Sequence, residues 1–342
     1  MPSKKLALQT AGAAPSSASG GRASGGLAMA AATLFLLASA AALLAARGNP
    51  YDGAPMVRVH VTMPPGASSA APAVQAKAAA VVVGALPAAP IAGLATPGPG
   101  GLLPIMAADG RASWKAYARP FADDGRPKIA LVIGGLGLNA EQTQKAIADL
   151  PPEITLSFSP YAEGLQGLID AARAAGHEVM IEVPMEPLDY PDTDPGPYTL
   201  VSGSAPVEIG NRLQWLMSRA TGYFAVTNNL GQRFIGQPQA MAVFLQALRQ
   251  RGVAFIDDGQ AASIGGGLHR ATIGPHIDGD LNAAAIDNQL LALEAQALQS
   301  GGALGAGSAY PMTVAQVQRW AVAVRDRGYA LAPASALMTV RP

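Results

Sequence analysis

The chain has 342 residues, of which 50% are hydrophobic and 13% are charged, so it is long enough for one large domain or two ordinary ones with a sizeable core. Its formal net charge is zero, which gives no electrostatic basis for binding nucleic acid. It contains no cysteine, and this excludes disulfide bonds, thiolate metal sites and a cysteine nucleophile.

The N-terminal part of the chain carries a membrane signal. Residues 1–26 are rich in Ser, Gly and Ala and are predicted to be a disordered cytoplasmic segment. Residues 27–46 are twenty residues without a charge, which is long enough to cross a bilayer as a helix. Lys4, Lys5 and Arg22 precede this run and no acidic residue does, so the positive-inside rule places the N-terminus in the cytoplasm. We therefore expect a single-pass inner-membrane protein with its C-terminal domain in the periplasm; a cleaved signal peptide or a buried helix are the alternatives.

The next segment differs in composition from everything that follows it. Residues 47–125 are rich in Pro, Ala and Gly, a composition typical of a semi-extended linker rather than of a densely packed core. The sequence therefore predicts that the folded domain occupies residues 126–342.

Seven short apolar runs bounded by turn residues are typical of parallel strands buried on both faces. They are Ile129–Ile133, Ile154–Phe158, Glu178–Val183, Tyr223–Thr227, Val253–Ile256, Ala303–Ala306 and Tyr329–Ala332. Helical periodicity occupies the segments between them, so we predict an α/β fold with a parallel sheet. The number of strands favours a closed or nearly closed (β/α) barrel, and an open doubly wound sheet is the alternative. In both folds ligands bind at the carboxyl ends of the strands.

Two helix starts are indicated by capping boxes. Asn139 is followed three residues later by Gln142, and Thr313 is followed by Gln316. We therefore expect helices to begin at Asn139 and Thr313.

The first predicted strand runs into a glycine turn. Gly135 to Ala140, GLGLNA, matches the G-x-G-x-x-A pattern of dinucleotide-binding sites. That pattern also requires an acidic residue about 20 positions later, at the end of the second strand. The second strand is followed by SFSPYAEG, whose first acidic residue is Glu163, in the next helix. A tight turn that needs positive φ at glycine is the alternative interpretation.

The third predicted strand lies in the most polar stretch of the chain. Seven acidic or histidine residues fall within eighteen positions: His177, Glu178, Glu182, Glu186, Asp189, Asp192 and Asp194. The Pro- and Asp-rich second half of this stretch is predicted to be a long ordered loop of the kind that carries function. The alternative for any single acidic residue there is a solvated carboxylate of a surface loop.

Polar residues also follow the fourth and fifth strands. Asn228 and Asn229 are suited to hydrogen-bonding a sugar, or to capping a turn. Asp257 and Asp258 are suited to cation binding or acid–base chemistry, or to a plain turn. His269 and His276 lie in a Gly-rich segment and are expected to be surface histidines.

These residues together resemble the divergent polysaccharide deacetylase family, bacterial envelope relatives of the NodB-type carbohydrate esterases. The resemblance runs from Lys128 to Met338 and rests on seven segments. They are LVIGGLGLN, LPPEITLSFSPYA, GHEVMIEVPMEP, DYPDTDPGPYTL, GYFAVTNNLGQRF, RGVAFIDDG and GAGSAYPMT.

The resemblance implies a distorted (β/α) barrel and, for the parent superfamily, metal-dependent removal of acetyl groups from glycans. In the parent pattern the first strand ends in Asp-Asp, one residue the base and the other a metal ligand, and those positions here are Gly134 and Gly135. The two metal-binding histidines of the pattern fall on Glu182 and Glu186.

Candidate roles follow from these positions. Glu182 and Glu186 are the predicted metal ligands, and Asp257, Asp258 and His177 are the predicted catalytic residues. The predicted substrate-binding residues are Asn228, Asn229 and Tyr190. Four tyrosines near the rim are suited to stacking on sugar rings or to packing inside the protein, namely Tyr161, Tyr190, Tyr198 and Tyr310.

Carboxylate ligands favour a hard divalent cation such as Mg²⁺ or Ca²⁺ over zinc. The sequence thus leaves two main hypotheses, an envelope hydrolase acting on acetyl groups of a glycan such as peptidoglycan, or an inactive relative that binds an envelope glycan or a protein. A nucleotide-binding envelope protein built on GLGLNA is a third.

Overall fold

The computed structural model describes residues 84–341. The predicted cytoplasmic segment, the predicted anchor at 27–46 and the first part of the predicted linker lie outside the described residues. Across residues 84–341, no helix combines the length and the apolar character needed to span a bilayer.

The described part of the chain contains eleven strands, eight α-helices and one 3₁₀-helix. The strands are β1 (Ala95–Gly98), β2 (Gly101–Pro104), β3 (Lys128–Leu136), β4 (Thr155–Phe158), β5 (Val179–Met185), β6 (Ala225–Leu230), β7 (Ala254–Asp257), β8 (Leu268–Thr272), β9 (Gly302–Ser308), β10 (Ala330–Leu331) and β11 (Thr339–Arg341). The helices are α1 (Ser113–Ala116), α2 (Ala140–Asp149), α3 (Leu165–Ala174), α4 (Pro206–Met217), α5 (Gln232–Ile235), α6 (Pro238–Arg251), α7 (Ala283–Ser300) and α8 (Pro311–Val324), and the 3₁₀-helix is Ala334–Leu337.

Strands β3 to β11 form one sheet in the order β10-β3-β4-β5-β6-β7-β8-β11, with β9 also paired to β3. Within it only β11 pairs antiparallel, with β8, while β3 to β9 pair in parallel. The chain after β8 is hydrogen-bonded to β9, because Gly274 donates to the Leu304 carbonyl and Ile277 to the Ala306 carbonyl, each at 2.8 Å. The sheet therefore curls into the distorted α/β barrel that the sequence predicts.

Side chains of the sheet alternate between two apolar layers. Ala130 and Val132 of β3 pack with Met180 of β5 and Ile256 of β7 in the inner layer, which is rich in alanine. Residues of the opposite parity, such as Ile133, pack under the helices. Because side chains of a strand alternate with period two, this parity decides which polar residues at the strand ends face the barrel interior.

The seven predicted strands correspond to β3, β4, β5, β6, β7, β9 and β10. Strand β8 was not predicted, because its five residues follow three glycines and include His269 and Arg270, which break the apolar pattern. The barrel nevertheless needs β8, since it pairs with β7 and leads into the segment that reaches β9.

The sequence predicts a linker up to residue 125, but residues 84–125 are folded against the barrel. Leu86, Leu94, Leu103 and Tyr117 are each no more than 5% exposed. The Pro- and Ala-rich composition of this segment does not reveal these few large residues. Each of them packs against an apolar surface of the barrel. The domain therefore includes residues from 84 onward.

One buried arginine fastens this N-terminal arm, which we define as residues 84–125. The guanidinium of Arg173 on α3 donates to the carbonyls of Pro87 and Tyr117 in the arm, and to that of Gly222 before β6. It also lies over the Tyr117 ring, 5.0 Å from its centroid. These contacts satisfy the charge inside the protein, so the arm is part of the core rather than a spacer.

One of the two predicted caps is confirmed. The Asn139 side chain accepts a hydrogen bond from the Gln142 amide at 3.0 Å, at the start of α2. The other is wrong, because α8 begins two residues earlier, at Pro311, whose fixed φ suits a first helical position. The Thr313 hydroxyl instead donates to Asp278.

Candidate functional site

The carboxyl ends of the parallel strands meet at one mouth of the barrel. By the alternation described above, Gly134 of β3, Ser157 of β4, Glu182 of β5 and Thr227 of β6 belong to the inward-facing set. Ser157, Glu182 and Thr227 are buried. The sequence therefore places a single ionisable side chain, Glu182, among these four positions.

The Glu182 carboxylate is held by the glycine turn that ends β3. Its Oε1 atom accepts a hydrogen bond of 2.7 Å from the Gly135 amide. A Cβ atom placed on Gly134 would lie 3.0 Å from the same oxygen. The space that a side chain at Gly134 would need is thus occupied by the carboxylate of a glutamate from β5.

Burial raises the pKa of Glu182 to about 7, against the opposing effects of the Gly135 amide and the neighbouring Ser157 hydroxyl. A carboxyl group with such a pKa exists in both protonation states near neutral pH. It can therefore accept or donate a proton at the barrel mouth, which is the property required of a general acid or base.

The turn itself explains the glycines that match the dinucleotide pattern. Gly135 and Gly137 have φ angles of 73° and 92°, a conformation that L side chains rarely adopt. A Cβ atom on Gly137 would also lie 2.3 Å from the Cβ of Ala162. These backbone requirements account for both glycines without a nucleotide.

Glu186, the second predicted metal ligand, is engaged by its own loop. Its Oε2 atom accepts hydrogen bonds from the backbone and side chain of Ser202, at 2.7 and 2.5 Å. Its Oε1 atom lies 3.4 Å from Arg233. Glu186 thereby ties the end of β5 to the residues before α4 and to α5.

Asp257 is a structural residue rather than the predicted catalytic one. It belongs to the outward parity of β7, with Phe255, and forms an ion pair of 3.0 Å with Arg270 of β8 in which both side chains are fully buried. Its carboxylate also accepts hydrogen bonds from Thr272 and from the Gly259 amide. It is therefore held away from the barrel interior.

Asn228 also has a structural role, although it was predicted to bind substrate. Its amide group accepts a hydrogen bond from the Asp258 backbone and donates one to the Leu230 carbonyl, so it joins the ends of β6 and β7. Asn229 and Asp258 are more accessible: Asn229 is exposed and Asp258 is partly exposed, with its carboxylate next to Gln260. These two remain candidates for contacting a ligand.

His177 lies at the opposite end of the barrel, so its predicted catalytic role is corrected. It precedes the first residue of β5 and is fully buried. Its ring nitrogens are 2.8 Å from the Ile154 carbonyl and 3.2 Å from the Ile147 carbonyl. Burial lowers its pKa, so the ring stays neutral and joins α2 to the start of β4.

Glu178 lies at the same end of the barrel as His177 and is also fully buried. It accepts hydrogen bonds from the Arg119 amide, the Thr155 hydroxyl and both the amide and hydroxyl of Ser335. Its burial raises its pKa, although these donors favour the ionised form. Glu178 thus links the N-terminal arm, β4 and the C-terminal 3₁₀-helix.

Of the four tyrosines near the rim, three are at least partly buried and one is exposed. Tyr198 stacks on Trp215 with ring centroids 3.6 Å apart, and its amide donates to the Tyr161 hydroxyl. Tyr190, the predicted sugar-binding residue, is partly buried in the loop after β5. Tyr310, before α8, is 48% exposed, so it is the tyrosine of this set most available to a ligand.

The donor set does not fit a divalent metal. Among residues 84–341 there is no group of three or more His, Asp or Glu side chains arranged to hold one. Glu182 is directed to Gly135, Glu186 to Ser202 and Asp257 to Arg270. The predicted carboxylate set is therefore distributed over three separate partners, and we derive no reaction step through a metal.

Sequence reasoning missed the partners that fix these carboxylates. Arg270 neutralises Asp257 and Arg233 approaches Glu186. Arg270 lies in a segment without a motif, and Arg233 lies in the segment GYFAVTNNLGQRF but was not singled out there. The signal that could have identified Arg270 is its place in LHRAT, where the apolar neighbours Leu268 and Ala271 bury the strand.

Comparisons with known proteins agree with the barrel. A family model described as "Divergent polysaccharide deacetylase" matches residues 131–338. The chain is 24% identical over 198 residues to an uncharacterised protein of Haemophilus influenzae, covering 56% of this chain and 70% of that protein. It is 23% identical over 199 residues to the uncharacterised protein YibQ of Escherichia coli, covering 56% of this chain and 61% of that protein.

A solved structure shows the same relationship at higher identity. An uncharacterised protein of Agrobacterium tumefaciens is 36% identical and superimposes with a TM-score of 0.67, over 69% of this chain and 99% of that one. The family match covers more than half of the chain and includes every strand of the barrel mouth. The chain therefore belongs to the divergent polysaccharide deacetylase family.

Proposed function

We propose that this domain binds a glycan of the bacterial cell envelope at the barrel mouth and does not perform metal-dependent deacetylation. One observation carries the proposal. The strand end where the parent pattern has Asp-Asp carries Gly134 and Gly135, and the Glu182 carboxylate accepts from the Gly135 amide and fills the space beside Gly134. Glycine offers neither a metal ligand nor a base, so the barrel keeps its shape without the parent chemistry.

Several features of the mouth support a binding role. Asn229 and Asp258 are accessible, and Tyr310 is 48% exposed, which provides amide, carboxylate and aromatic groups of the kind that contact sugars. The loop after β5 is built around Glu186, which accepts hydrogen bonds from Ser202. A loop fixed in this way presents a preformed surface, which lowers the entropic cost of binding.

The direct test is binding of the purified full chain, in mild detergent, to peptidoglycan sacculi and to acetylated and de-acetylated oligosaccharides of N-acetylglucosamine. We expect saturable binding that Asn229→Ala and Tyr310→Ala each weaken by about 5- to 30-fold, equivalent to 1–2 kcal/mol. Val207→Ala is the matched control, since Val207 is 69% exposed on α4. Absence of binding to every glycan, or metal-stimulated acetate release, would overturn the proposal.

A second candidate function is metal-independent hydrolysis of an acyl group, in which Glu182 acts as a general base on water. The observation that favours it is the pKa of about 7 at this buried carboxyl. Its test is acetate release from the same oligosaccharides in the presence of a chelator. Acetate release that persists with the chelator and is lost in Glu182→Gln would establish this function. If no acetate is released, glycan binding is the remaining candidate.

We also propose that residues 27–46 anchor the protein in the inner membrane with the domain in the periplasm. The support is the uncharged run of twenty residues with lysine and arginine on its N-terminal side. Protease added to intact spheroplasts should degrade the domain, so that no full-length protein remains. A domain that resists the protease until the membrane is lysed would contradict the proposed orientation.

A further inference from the structure

The connection between β7 and β8 differs from the other parallel connections in the described sheet. From β3 to β4, β5, β6 and β7 the chain passes through at least one helix each time, whereas residues 258–267 join β7 to β8 without one. The outer face of the sheet beside α6 is therefore covered by a loop. Because this loop fills less space than a helix would, a groove remains between it and α6.

The groove runs along one side of α6 and has a volume of about 370 Å³. Pro238, Ala242, Leu245 and Arg249 line it at steps of four, three and four, so they form one stripe along the helix. The stripe is about 16 Å long. Its first three residues are apolar and its last carries a guanidinium. The groove is therefore apolar along most of its length and cationic at one end.

The opposite wall of the groove is the loop after β7, which buried hydrogen bonds hold in place. Arg270 of β8 donates to the carbonyls of Ala261 and Ile264, and Ile264 lines the groove. A Cβ atom on Gly266 would lie 3.1 Å from the Cδ1 atom of Leu245, so this glycine allows the loop to lie against α6. Both walls are therefore preformed, and a ligand does not have to order them.

Arg249 supplies the charge at the end of the groove. Its exposed guanidinium donates to the Gly266 carbonyl at 3.0 Å, which leaves other N–H donors for an anionic group. Within residues 84–341 it forms no ion pair. The groove lining contains no acidic residue, and none occurs in the sequence from 209 to 256 or from 259 to 277. The surroundings of Arg249 therefore favour an anion.

The shape and the charge of the groove together select one kind of small molecule. An uncharged alkyl chain would not use Arg249, and a cation would be repelled by it. A small hydrophilic anion would leave the apolar stripe at Ala242 and Leu245 without a contact. An unbranched alkyl chain with an anionic group at one end makes both contacts, and a volume within roughly 300–1,000 Å³ is typical of small-molecule sites.

We propose that this groove binds a fatty acid. The alkyl chain lies along α6 on Ala242 and Leu245, and the carboxylate accepts charge-assisted hydrogen bonds from the Arg249 guanidinium. The groove is on the outer face of the sheet, whereas Glu182 belongs to the inward-facing set at the barrel mouth. The fatty-acid site is therefore separate from the proposed glycan site, and neither depends on the other.

Photoaffinity labelling of the full chain tests the site. The protein is kept in an amphipol, because detergent monomers compete for an alkyl-chain site, and it is labelled with laurate that carries a diazirine. We expect peptide mapping to place the label on α6 or on the loop after β7, and excess laurate to prevent labelling. Dodecyltrimethylammonium, which has a similar alkyl chain and the opposite charge, should not compete. Label confined to other residues, or equal competition by this cation, would overturn the proposal.

A charge-removing variant tests the cationic end of the groove. Arg249→Gln should weaken laurate binding about tenfold, because one charge-assisted hydrogen-bonding partner is lost. Arg319→Gln is the matched control, since it removes an exposed arginine from α8 and should leave laurate binding unchanged. Equal laurate binding by Arg249→Gln and the unchanged chain would show that the carboxylate does not lie on Arg249 and would overturn the proposal.

A space-filling variant tests the apolar part. Ala242→Phe places a ring in the groove and should abolish the labelling that laurate prevents. Gln239→Phe is its control, because it places the same side chain at an exposed position of α6 that does not line the groove. Full labelling of Ala242→Phe would show that the alkyl chain binds elsewhere and would overturn the proposal.

Folding and membrane binding are tested separately. The four substituted positions are exposed, so thermal unfolding without laurate should match that of the unchanged chain. If Arg249→Gln or Ala242→Phe lowers the unfolding temperature, Gln246→Glu decides, because it adds a negative charge to the groove lining and should also weaken laurate binding. Unchanged laurate binding by Gln246→Glu would then overturn the proposal. So would labelling that phosphatidylglycerol vesicles prevent and laurate does not, since the occupant would then be a membrane surface.

Discussion

The Gly135 amide nitrogen lies 2.7 Å from the Oε1 atom of Glu182, so the end of β3 is hydrogen-bonded to a carboxylate that belongs to β5. A Cβ atom on Gly134 would come within 3.0 Å of that same oxygen. Gly134 is therefore complementary to the glutamate in volume, and Gly135 is complementary to it in hydrogen bonding. This relationship is the basis of the proposal that the barrel mouth has lost the parent metal chemistry.

The first prediction concerns the pH dependence of stability. The pKa of Glu182 is raised from 4.5 to about 7 in the folded protein, so between these values the folded state binds more protons than the unfolded state. The contribution of Glu182 to the free energy of unfolding is therefore greatest below pH 4.5 and falls as pH rises. The total loss is about 3 kcal/mol at most and is reached when the pH exceeds 7. Glu182→Gln should remove that loss and be more stable than the unchanged chain at pH 8. Urea unfolding between pH 4.5 and 8 measures it.

Asp258→Asn is the control for this experiment, because it removes the same charge from a partly exposed position. It should keep the slope of stability against pH that the unchanged chain shows. Glu182→Gln with that same slope would show that Glu182 does not titrate in this range.

The second prediction concerns the fit between Gly134 and Glu182. Gly134→Ala forces the carboxylate to move and should cost about 1–3 kcal/mol of unfolding free energy, as overpacking does. In a Glu182→Ala background the same change should cost at least about 0.5 kcal/mol less, because the clash has gone. A double-mutant cycle by urea unfolding gives this coupling.

Gly167→Ala serves as the matched control for the cycle. Gly167 lies within α3, and a Cβ atom there has no neighbour within 4 Å. The change should stabilise the helix slightly, by up to about 1 kcal/mol, equally with and without Glu182. Coupling of the same size at both glycines would mean that the Gly134 result is not a local clash.

The third prediction separates two adjacent aspartates. Asp257→Ala leaves the buried Arg270 without its carboxylate and should destabilise the protein by about 3–5 kcal/mol. Asp258→Ala removes a partly exposed carboxylate and should change stability by less than about 1 kcal/mol. Thermal and urea unfolding measure the stability of both variants. Equal losses of stability would show that the buried ion pair contributes no more than a partly exposed carboxylate does.

The fourth prediction concerns the start of the domain. A chain that begins at Arg126 lacks the Pro87 and Tyr117 carbonyls that accept from Arg173, and the Arg119 amide that donates to Glu178. It should be less stable than a chain that begins at Gly84 by several kcal/mol, because buried charges lose their partners. Comparison of the two by urea unfolding tests this, and equal stability would restore residue 126 as the boundary.

Seven strands of the barrel could be predicted because each is a short apolar run between turn residues. The unpredicted strand β8 shows the limit of that signal, since it contains His269 and Arg270 and is defined by pairing with β7. The N-terminal arm was missed for a related reason. Burial of Leu94 or Tyr117 depends on a surface supplied by distant residues, and composition alone does not contain that information.

The sequence by itself indicated the family, the α/β fold with a parallel sheet and the Gly134-Gly135 pair at the end of β3, because these depend on residue identity and local periodicity. It also identified Glu182 as a residue of the mouth. Only the tertiary structure decided the roles of the other candidates. Asp257 faces outward to Arg270, and His177 lies at the end of the barrel opposite the mouth, because strand parity and strand direction fix where a side chain points. Those two properties belong to the assembled sheet, and adjacency in the sequence does not reveal them.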